Sequence, residues 1–170
     1  AQDQLERIRE LLFDLPAPGN DECPINWGHV GEMNEVNNRL GAVIAAKLAG
    51  AGYDLALTSH GDGQPDPALA QAIEASAVQW HHFAADLSTS AQSEELMQSV
   101  CAHFGRAPDL LVNNAAMFGQ DDWSAMDAAS LDAHFRLNLF APVLLAKALV
   151  SAAGDSFQPA IIHIVDQRIR

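Results

Sequence analysis

The sequence predicts a doubly wound α/β fold, in which helices cover both faces of a parallel β-sheet. Leu110–Val112 is wholly apolar, and Ile161–Val165 is apolar except at His163. Near-continuous apolar runs of this kind are typical of strands buried on both faces. Segments with helical spacing separate such runs along the chain. With 170 residues, of which 49% are hydrophobic and 18% charged, the chain is long enough for one sizeable core.

The first 36 residues differ from the rest, because they carry eight acidic residues against only Arg7 and Arg9. Their apolar residues recur at helical spacing, and Pro16 and Pro18 then end any helix. The residues with this spacing are Leu5, Ile8, Leu11, Leu12 and Leu15. We therefore treat residues 1–36 as an acidic helical segment and residues 37–170 as the domain that follows it.

A second helix is predicted from Gly31 to Ala49. Its apolar residues lie on one helical face, and Gly50 and Gly52 flank its end. These apolar residues are Met33, Val36, Leu40, Val43, Ile44 and Leu48. The same face runs through the whole segment, which indicates one continuous helix.

After this helix, short apolar segments alternate with segments of helical periodicity. The predicted strands are Tyr53–Ser59, Val78–Ala84, Leu110–Asn113 and Ala160–Val165. The predicted helices between them are Pro67–Ser76, Ser90–Phe104 and Ser130–Ala152. This regular alternation favours crossover connections and a parallel sheet over hairpins.

The formal net charge of −13 excludes several classes of partner. It repels phosphate backbones and anionic lipid headgroups, so neither nucleic acid nor a membrane surface is an expected partner. No uninterrupted apolar run reaches the about 18 residues that cross a bilayer, and the start of the chain lacks a signal pattern. We expect a soluble, cytoplasmic protein.

No metal site or disulfide framework is expected. Cys23 and Cys101 are the two cysteines and lie far apart in the sequence, so both are most simply free thiols. His81 and His82 are neighbours in a predicted strand, where successive side chains face opposite sides of the sheet. They are therefore poorly placed to bind one metal ion, and we interpret them as structural or solvent-facing.

Polar or small residues follow three of the predicted strands. Asp86 follows the second strand, Asn113–Ala116 the third and Asp166 the fourth. In an open parallel sheet, ligands bind outside the carboxyl ends of the strands. Asp and Asn are also common turn formers, and that role alone explains each of them taken singly.

Taken together, these residues resemble those of the short-chain dehydrogenase/reductase family. Asn113-Asn114-Ala115-Ala116 resembles the family's Asn-Asn-Ala-Gly segment, and Leu137–Pro142 resembles the helix that carries its catalytic asparagine, here Asn138. Asp86-Leu87 matches the family's contact to the adenine ring. The resemblance implies a partial Rossmann-like dinucleotide-binding domain, with Asn113, Asn114 and Ala115 beside the cofactor.

The fourth strand resembles one branch of the family more closely. Most members have a catalytic serine where this sequence has Asp166, whereas the pteridine reductases have an aspartate. That likeness implies hydride transfer to a pterin-like or carbonyl substrate, with Asp166 and Asn138 as catalytic residues. A carboxylate there can hold a substrate amine or a relay water through charge-assisted hydrogen bonds. The alternative is that Asp166 only begins a turn.

The cofactor expected from the resemblance is NADP. Enzymes that use NAD usually have an acidic residue after the second family strand, where this chain has Ser59-His60. Arg39 and Gly41 match the last two positions of the family's glycine-rich loop. We therefore expect Arg39, Ser59 and His60 near the 2′-phosphate, although each of them is also explained as an ordinary surface residue.

Two departures from the family pattern affect what the chain can do. The Thr and first Gly of the family loop fall on Asn34 and Glu35, and a carboxylate there would repel the pyrophosphate. The family's Tyr-x-x-x-Lys pair is also absent, since the one tyrosine is Tyr53. We expect a truncated chain with little or no activity of its own.

Two further expectations concern assembly. Members of the family associate through helices that correspond here to about residues 90–104 and 130–152, so a homo-oligomer is expected. The competing hypothesis is a non-catalytic binding or assembly module, in which the acidic N-terminal helices bind a protein partner and the α/β part serves as a scaffold.

Overall fold

A computed structural model describes residues 30–60, 67–117 and 126–165, with side chains from residue 39 onward except that of residue 68. The elements alternate as the sequence predicts. The helices are α1 (Val30–Gly50), α2 (Pro67–Ala75), α3 (Ser90–Phe104), α4 (Ala128–Phe135) and α5 (Ala141–Ala153). The strands are β1 (Leu55–Ser59), β2 (Trp80–Ala84), β3 (Leu110–Asn113) and β4 (Ala160–His163). The helix expected over Leu5–Leu15 lies outside the described residues.

Because both are apolar on both faces, Leu110–Asn113 and Ile161–Val165 are predicted to be neighbouring parallel strands at the centre of one sheet, and their parallel pairing is confirmed. β3 and β4 run parallel, with Leu110 opposite Ala160 and Asn113 opposite His163. The described strands form two pairs, β1 with β2 and β3 with β4, rather than one sheet with β3 and β4 at its centre. In the doubly wound order 3-2-1-4-5-6, two such pairs flank a first strand.

Contacts divide the chain into two compact units, and the division passes through β1 and β2. The first unit comprises residues 1–55 and 65–81. Within it, α1 packs against α2, and the buried side chains on α1 follow at intervals of four residues. The buried apolar residues of this unit are Ile44, Ala45, Leu48, Ala49, Leu55 and Ile73. The expected boundary at residue 36 lies inside the unbroken helix α1 and stays a prediction.

The end of α1 shows why a glycine stands at position 52. The Gly52 N–H donates to Ala49 O at 2.9 Å, and the Tyr53 N–H donates to Leu48 O at 3.1 Å. Gly52 has φ +86°, in the left-handed region that glycine adopts without steric cost. This bonding pattern is a Schellman motif, which satisfies the last carbonyls of the helix and turns the chain toward β1.

The second unit comprises residues 56–64 and 82–170 and contains β3, β4 and the helices α3, α4 and α5. α5 packs on α3 and on β3. Its buried residues again recur every four positions, so one side of the helix faces the core. These residues are Ala141, Leu145, Leu149 and Ala153, and α3 contributes Ser93, Met97 and Val100. The unit's core therefore lies between these two helices and the β3–β4 pair.

Helix Ala128–Ala153 is the one segment of the described chain that is long and apolar enough to cross a membrane by length and composition. Core helices of soluble proteins pass the same test. Asp132, Arg136 and Lys147 interrupt its apolar residues, and its α5 part packs on α3. The finding is therefore weak support for a membrane span.

Candidate functional site

The ends of β1 and β2 bring together four polar side chains within the second unit. Ser59 Oγ lies 2.7 Å from Nε2 of His82, on the neighbouring strand. One residue further on, His60 Nε2 lies 3.9 Å from Asp86 Oδ1. His81 is exposed whereas His82 is half-buried, as the alternation of strand side chains requires. Sequence reasoning placed Ser59, His60 and Asp86 near the cofactor but did not anticipate His82.

Asp86 begins the turn that leads into α3. Its Oδ1 accepts hydrogen bonds from the Ser88 hydroxyl at 2.6 Å and the Ser88 N–H at 3.0 Å. Its own N–H donates to Gln92 Oε1 at 2.6 Å. The hydrogen bonds from Ser88, with a smaller contribution from nearby His60, lower the pKa of the Asp86 carboxyl. The residue therefore stays ionised, and its second oxygen, Oδ2, is not used by Ser88.

An open cavity of about 310 Å³ lies between β2 and α3. Its polar lining comes from His82, Gln92, Glu95 and Ser99. His82 therefore contacts Ser59 and also borders this cavity.

Asn113 ends β3 as a buried polar residue, with 8% of its surface exposed. Its Nδ2 lies 3.2 Å from Nδ1 of His163, its register partner on β4. The Ile164 N–H then donates to the Asn113 carbonyl at 2.9 Å. A buried amide needs such partners, because desolvating it without a hydrogen bond is unfavourable. His163 therefore helps to fix the carboxyl end of β3.

Asn138 lies in a π-helical turn, Arg136–Phe140, that interrupts the helix predicted over Ser130–Ala152. The N–H of Ala141 donates to the carbonyl of Arg136, five residues back, as in a π-helix. Pro142 has no N–H to donate to the carbonyl four residues back, which is that of Asn138. The wider turn therefore coincides with a gap in the α-helical bonding pattern.

The side chain of Asn138 pairs with the backbone of Met117 in the loop after β3. Its Oδ1 accepts from the Met117 N–H at 2.8 Å, and its Nδ2 donates to the Met117 carbonyl at 2.9 Å. The pair places Asn138 beside the segment that begins at Asn113. Sequence reasoning did not anticipate that Met117 is the partner of Asn138.

The predicted site residues fall into three groups. Those in the second unit occupy the carboxyl ends of β1, β2 and β3 or contact the loop there; they are Ser59, His60, Asp86, Leu87, Asn113, Asn114, Ala115 and Asn138. Arg39 and Gly41 lie within α1, in the first unit. Asp166 lies outside the described residues. Sequence reasoning missed Ser88, although a serine two residues after an Asp is a familiar turn signal.

Comparison with known proteins decides the family. The family model described as short chain dehydrogenase matches residues 37–166. The chain belongs to the short-chain dehydrogenase family. A curated relative, the D-beta-hydroxybutyrate dehydrogenase of Cupriavidus necator, is 33% identical over 105 residues, which cover 56% of this chain and 40% of the relative.

Solved structures of other oxidoreductases share the fold. A metagenomic short-chain oxidoreductase in complex with NADP is 33% identical with a TM-score of 0.67, covering 75% of this chain and 57% of that protein. An NADH-dependent reductase responsible for alginate metabolism is 27% identical with a TM-score of 0.61, covering 70% and 50%. The chain thus spans about half the length of these proteins. The Rossmann-like α/β fold predicted from the sequence is confirmed.

The residues present suit the adenosine end of a dinucleotide better than its pyrophosphate. Ser59, His60 and Asp86 offer hydroxyl, imidazole and carboxylate groups at neighbouring strand ends, which can bind a ribose, a phosphate and an adenine amine. Residues 34–41, which match the family's glycine-rich loop, have helical backbone within α1. Most N–H groups inside a helix are bonded to carbonyls of the helix itself, so this segment lacks the open turn that usually receives a pyrophosphate.

Proposed function

We propose that this chain is the cofactor-binding part of an NADPH-dependent oxidoreductase that transfers hydride to a carbonyl or pterin-like substrate. The observation that carries the proposal is the pairing of Asn138 with Met117. It brings the asparagine matching the family's catalytic residue to the loop that begins with Asn113-Asn114. Family membership supports oxidoreductase chemistry, because solved relatives include one with NADP bound and one described as NADH-dependent.

Each residue group has a distinct role in this proposal. A bound nicotinamide cofactor supplies the hydride. Asp86 and Leu87 lie beside the adenine, while Ser59 and His60 receive the 2′-phosphate. Asn138 holds the loop after β3 in place, and the second hydrogen of its Nδ2 can still be donated to a water molecule.

The preference for NADPH rests on the end of β1, where Ser59 and His60 stand in place of an acidic residue. The test is a titration of the chain with NADPH and with NADH, followed by NMR so that weak binding is measurable. NADPH should bind at least about tenfold more tightly, because the 2′-phosphate gains charge-assisted hydrogen bonds. Equal affinities, or tighter binding of NADH, would contradict the proposal.

The substrate class rests on Asp166, whose carboxylate we propose orients a pterin-like amine or a relay water. In a version of the protein that includes the Tyr-x-x-x-Lys pair, Asp166→Ala should slow turnover about 10²-fold or more, as expected for a general acid–base group. Asp166→Ser should retain carbonyl reduction but lose pterin reduction. If Asp166→Ala leaves turnover unchanged, Asp166 has no catalytic role and only forms part of a turn.

The 170 residues contain no Tyr-x-x-x-Lys, because the one tyrosine is Tyr53 and the residue four positions after it is Leu57. We propose that this chain by itself does not turn over. The measurement is NADPH oxidation with a panel of carbonyl and pterin substrates. Turnover that persists in the purified chain and falls in the Asn138→Ala variant would overturn the proposal.

We propose that the chain self-associates through the helices Ser90–Phe104 and Ala128–Ala153. The longer helix supports this, because a row of large apolar side chains on it is between 44% and 57% exposed. The row comprises Leu131, Phe135, Leu139, Phe140, Val143 and Val150. In analytical ultracentrifugation, Val143→Lys should shift the chain toward monomer, and Ser151→Lys, at an exposed polar position, should not. A wild-type chain that sediments as a monomer would contradict the proposal.

The small-molecule role and the cytoplasmic location are parts of the same proposal. Cell fractionation should place the protein in the soluble fraction without detergent. The competing hypothesis, a non-catalytic assembly module, predicts instead that deleting residues 1–29 abolishes partner capture and leaves nucleotide binding unchanged. Measuring both properties on the deleted and complete chains separates the two functions.

A further inference from the structure

The imidazole of His82 contacts the hydroxyl group on which the proposed choice of cofactor depends. Ser59 Oγ and His82 Nε2 are 2.7 Å apart, and both residues are half-buried. They lie on neighbouring strands and within the same unit. We propose that His82 is a positioning residue that sets the direction in which the Ser59 hydroxyl donates, and thereby the preference for a cofactor with a 2′-phosphate. This inference rests on the proposed function.

The physical reason lies in the two roles that a ring nitrogen can take. A serine hydroxyl has one hydrogen and two lone pairs, and neutral imidazole either donates or accepts at Nε2. When Nε2 carries no hydrogen, it accepts a hydrogen bond from the Ser59 hydroxyl, which then presents only its lone pairs to a ligand. When Nε2 carries a hydrogen, it donates to Oγ, and the Ser59 hydrogen can then be directed at a phosphate oxygen.

The two arrangements favour different ligands. A phosphate oxygen only accepts, so a 2′-phosphate requires the form in which His82 donates to Ser59. A ribose 2′-hydroxyl both donates and accepts, so it pairs with either form. In the form that carries a hydrogen on Nε2, His82 therefore holds Ser59 as a donor to the phosphate.

The surrounding charges are compatible with this role. His60 is exposed and lies 3.9 Å from Asp86, so a protonated His60 would reduce the repulsion between that carboxylate and an arriving phosphate. Ser88 also donates two hydrogen bonds to Oδ1 of Asp86, and these stabilise the negative charge on the side of the turn before α3. His81, on the opposite face of β2 from His82, provides a matched control.

The test uses adenosine 2′,5′-bisphosphate and adenosine 5′-monophosphate as probes. Neither contains a pyrophosphate, so the helical segment around Glu35 does not affect the comparison. Both probes are titrated by NMR into the ¹⁵N-labelled wild-type chain and the His82→Leu, His82→Gln, His81→Leu and Ser59→Ala variants. The ratio of the two dissociation constants is the readout, because a merely structural role would weaken both probes alike.

We expect the wild type to prefer the 2′,5′-bisphosphate, and His82→Leu to lower that preference about tenfold, the effect of one charge-assisted hydrogen bond. His81→Leu should leave the ratio unchanged. His82→Gln should keep part of the preference, since its amide can still donate to Ser59. The imidazole ¹⁵N shifts of His82 should report a hydrogen on Nε2 when the 2′,5′-bisphosphate is bound.

The possible outcomes test the role of His82 separately from the proposed function. A wild type without preference for the 2′-phosphate overturns both. A preference that Ser59→Ala removes and His82→Leu retains overturns the role of His82 alone. If His82→Leu does not fold, as judged by urea unfolding, the wild-type ¹⁵N shifts decide. A bare Nε2 in the complex with the 2′,5′-bisphosphate would then overturn the inference.

Discussion

The side-chain amide of Asn138 forms two hydrogen bonds with the backbone of Met117, one to its N–H at 2.8 Å and one to its carbonyl at 2.9 Å. The amide accepts the first of these hydrogen bonds and donates the second, as a backbone residue does when one β-strand pairs with another. It connects the π-helical turn to the loop after β3, although 21 residues separate the partners in the chain.

Replacing Asn138 by Ala should loosen this loop without unfolding the domain. Because both hydrogen bonds are exposed to water, we expect a loss of about 1 kcal/mol in unfolding free energy. Hydrogen exchange at the Met117 amide should accelerate at least about fivefold, because opening of the loop becomes easier. Ser151→Ala, at an exposed position on α5, is the control. Unchanged exchange at Met117 would show that the side chain does not hold the loop.

The contact between Asn113 and His163 should contribute to the stability of the β3–β4 pair. His163→Ala removes the partner of a buried amide and should cost about 1–2 kcal/mol in unfolding free energy. His163→Gln, which can still accept a hydrogen bond, should cost less. Urea unfolding of His163→Ala, Asn113→Ala and the double variant should give a coupling free energy of about 0.5–1.5 kcal/mol between the two side chains. A coupling near zero would mean that the two side chains do not interact in solution.

The carboxyl of Asp86 should titrate below its ordinary range, because Ser88 donates two hydrogen bonds to it. A folded-state pKa that is lowered adds stability above the unfolded-state pKa, and this stability is lost as the pH falls through the folded-state value. The loss should therefore occur below about pH 4. In carbon-detected NMR titrations, Ser88→Ala should raise the pKa of Asp86, and Ser99→Ala should leave it unchanged. An equal pKa in the wild type and Ser88→Ala would contradict the assignment.

The thiol of Cys101 should react slowly, since partial burial in α3 raises its pKa and so lowers the fraction of reactive thiolate. In a Cys23→Ser background, labelling with a disulfide reagent near pH 8 should be slower than for a free cysteine by about tenfold or more. The same protein in urea should react at the rate of the free amino acid. A fast native reaction would mean that the thiol is exposed in solution.

The intact cofactor should bind weakly to this chain. Calorimetry with NADPH should give a dissociation constant no lower than the millimolar range, because residues 34–41 form helix and Glu35 adds a carboxylate where the family has glycine. Glu35→Gly should strengthen binding only modestly, since the helical backbone remains. Micromolar binding by the wild-type chain would show that the pyrophosphate is received elsewhere.

The sequence alone determined the elements and the family. The predicted bounds of α3 and β3 agree with the structure at both ends, and those of the other described elements differ by two residues or fewer, except that the π-helical turn divides the one helix predicted over Ser130–Ala152 into α4 and α5. These features are predictable because helical periodicity, apolar runs and strand-end residues are properties of short stretches of sequence. The motifs at Asn113–Ala116 and Asn138 likewise predicted the family to which the chain belongs.

Tertiary structure alone decided which side chains act together. Ser59 meets His82 across 23 residues, and Asn113 meets His163 across 50. Such pairs follow from strand register, which local sequence does not specify. The π-helical turn at Asn138 also escaped prediction, because the apolar pattern continues through it while Pro142 removes one hydrogen bond. The sequence determined which residues end the strands, whereas only the packing of those strands determined what each residue contacts.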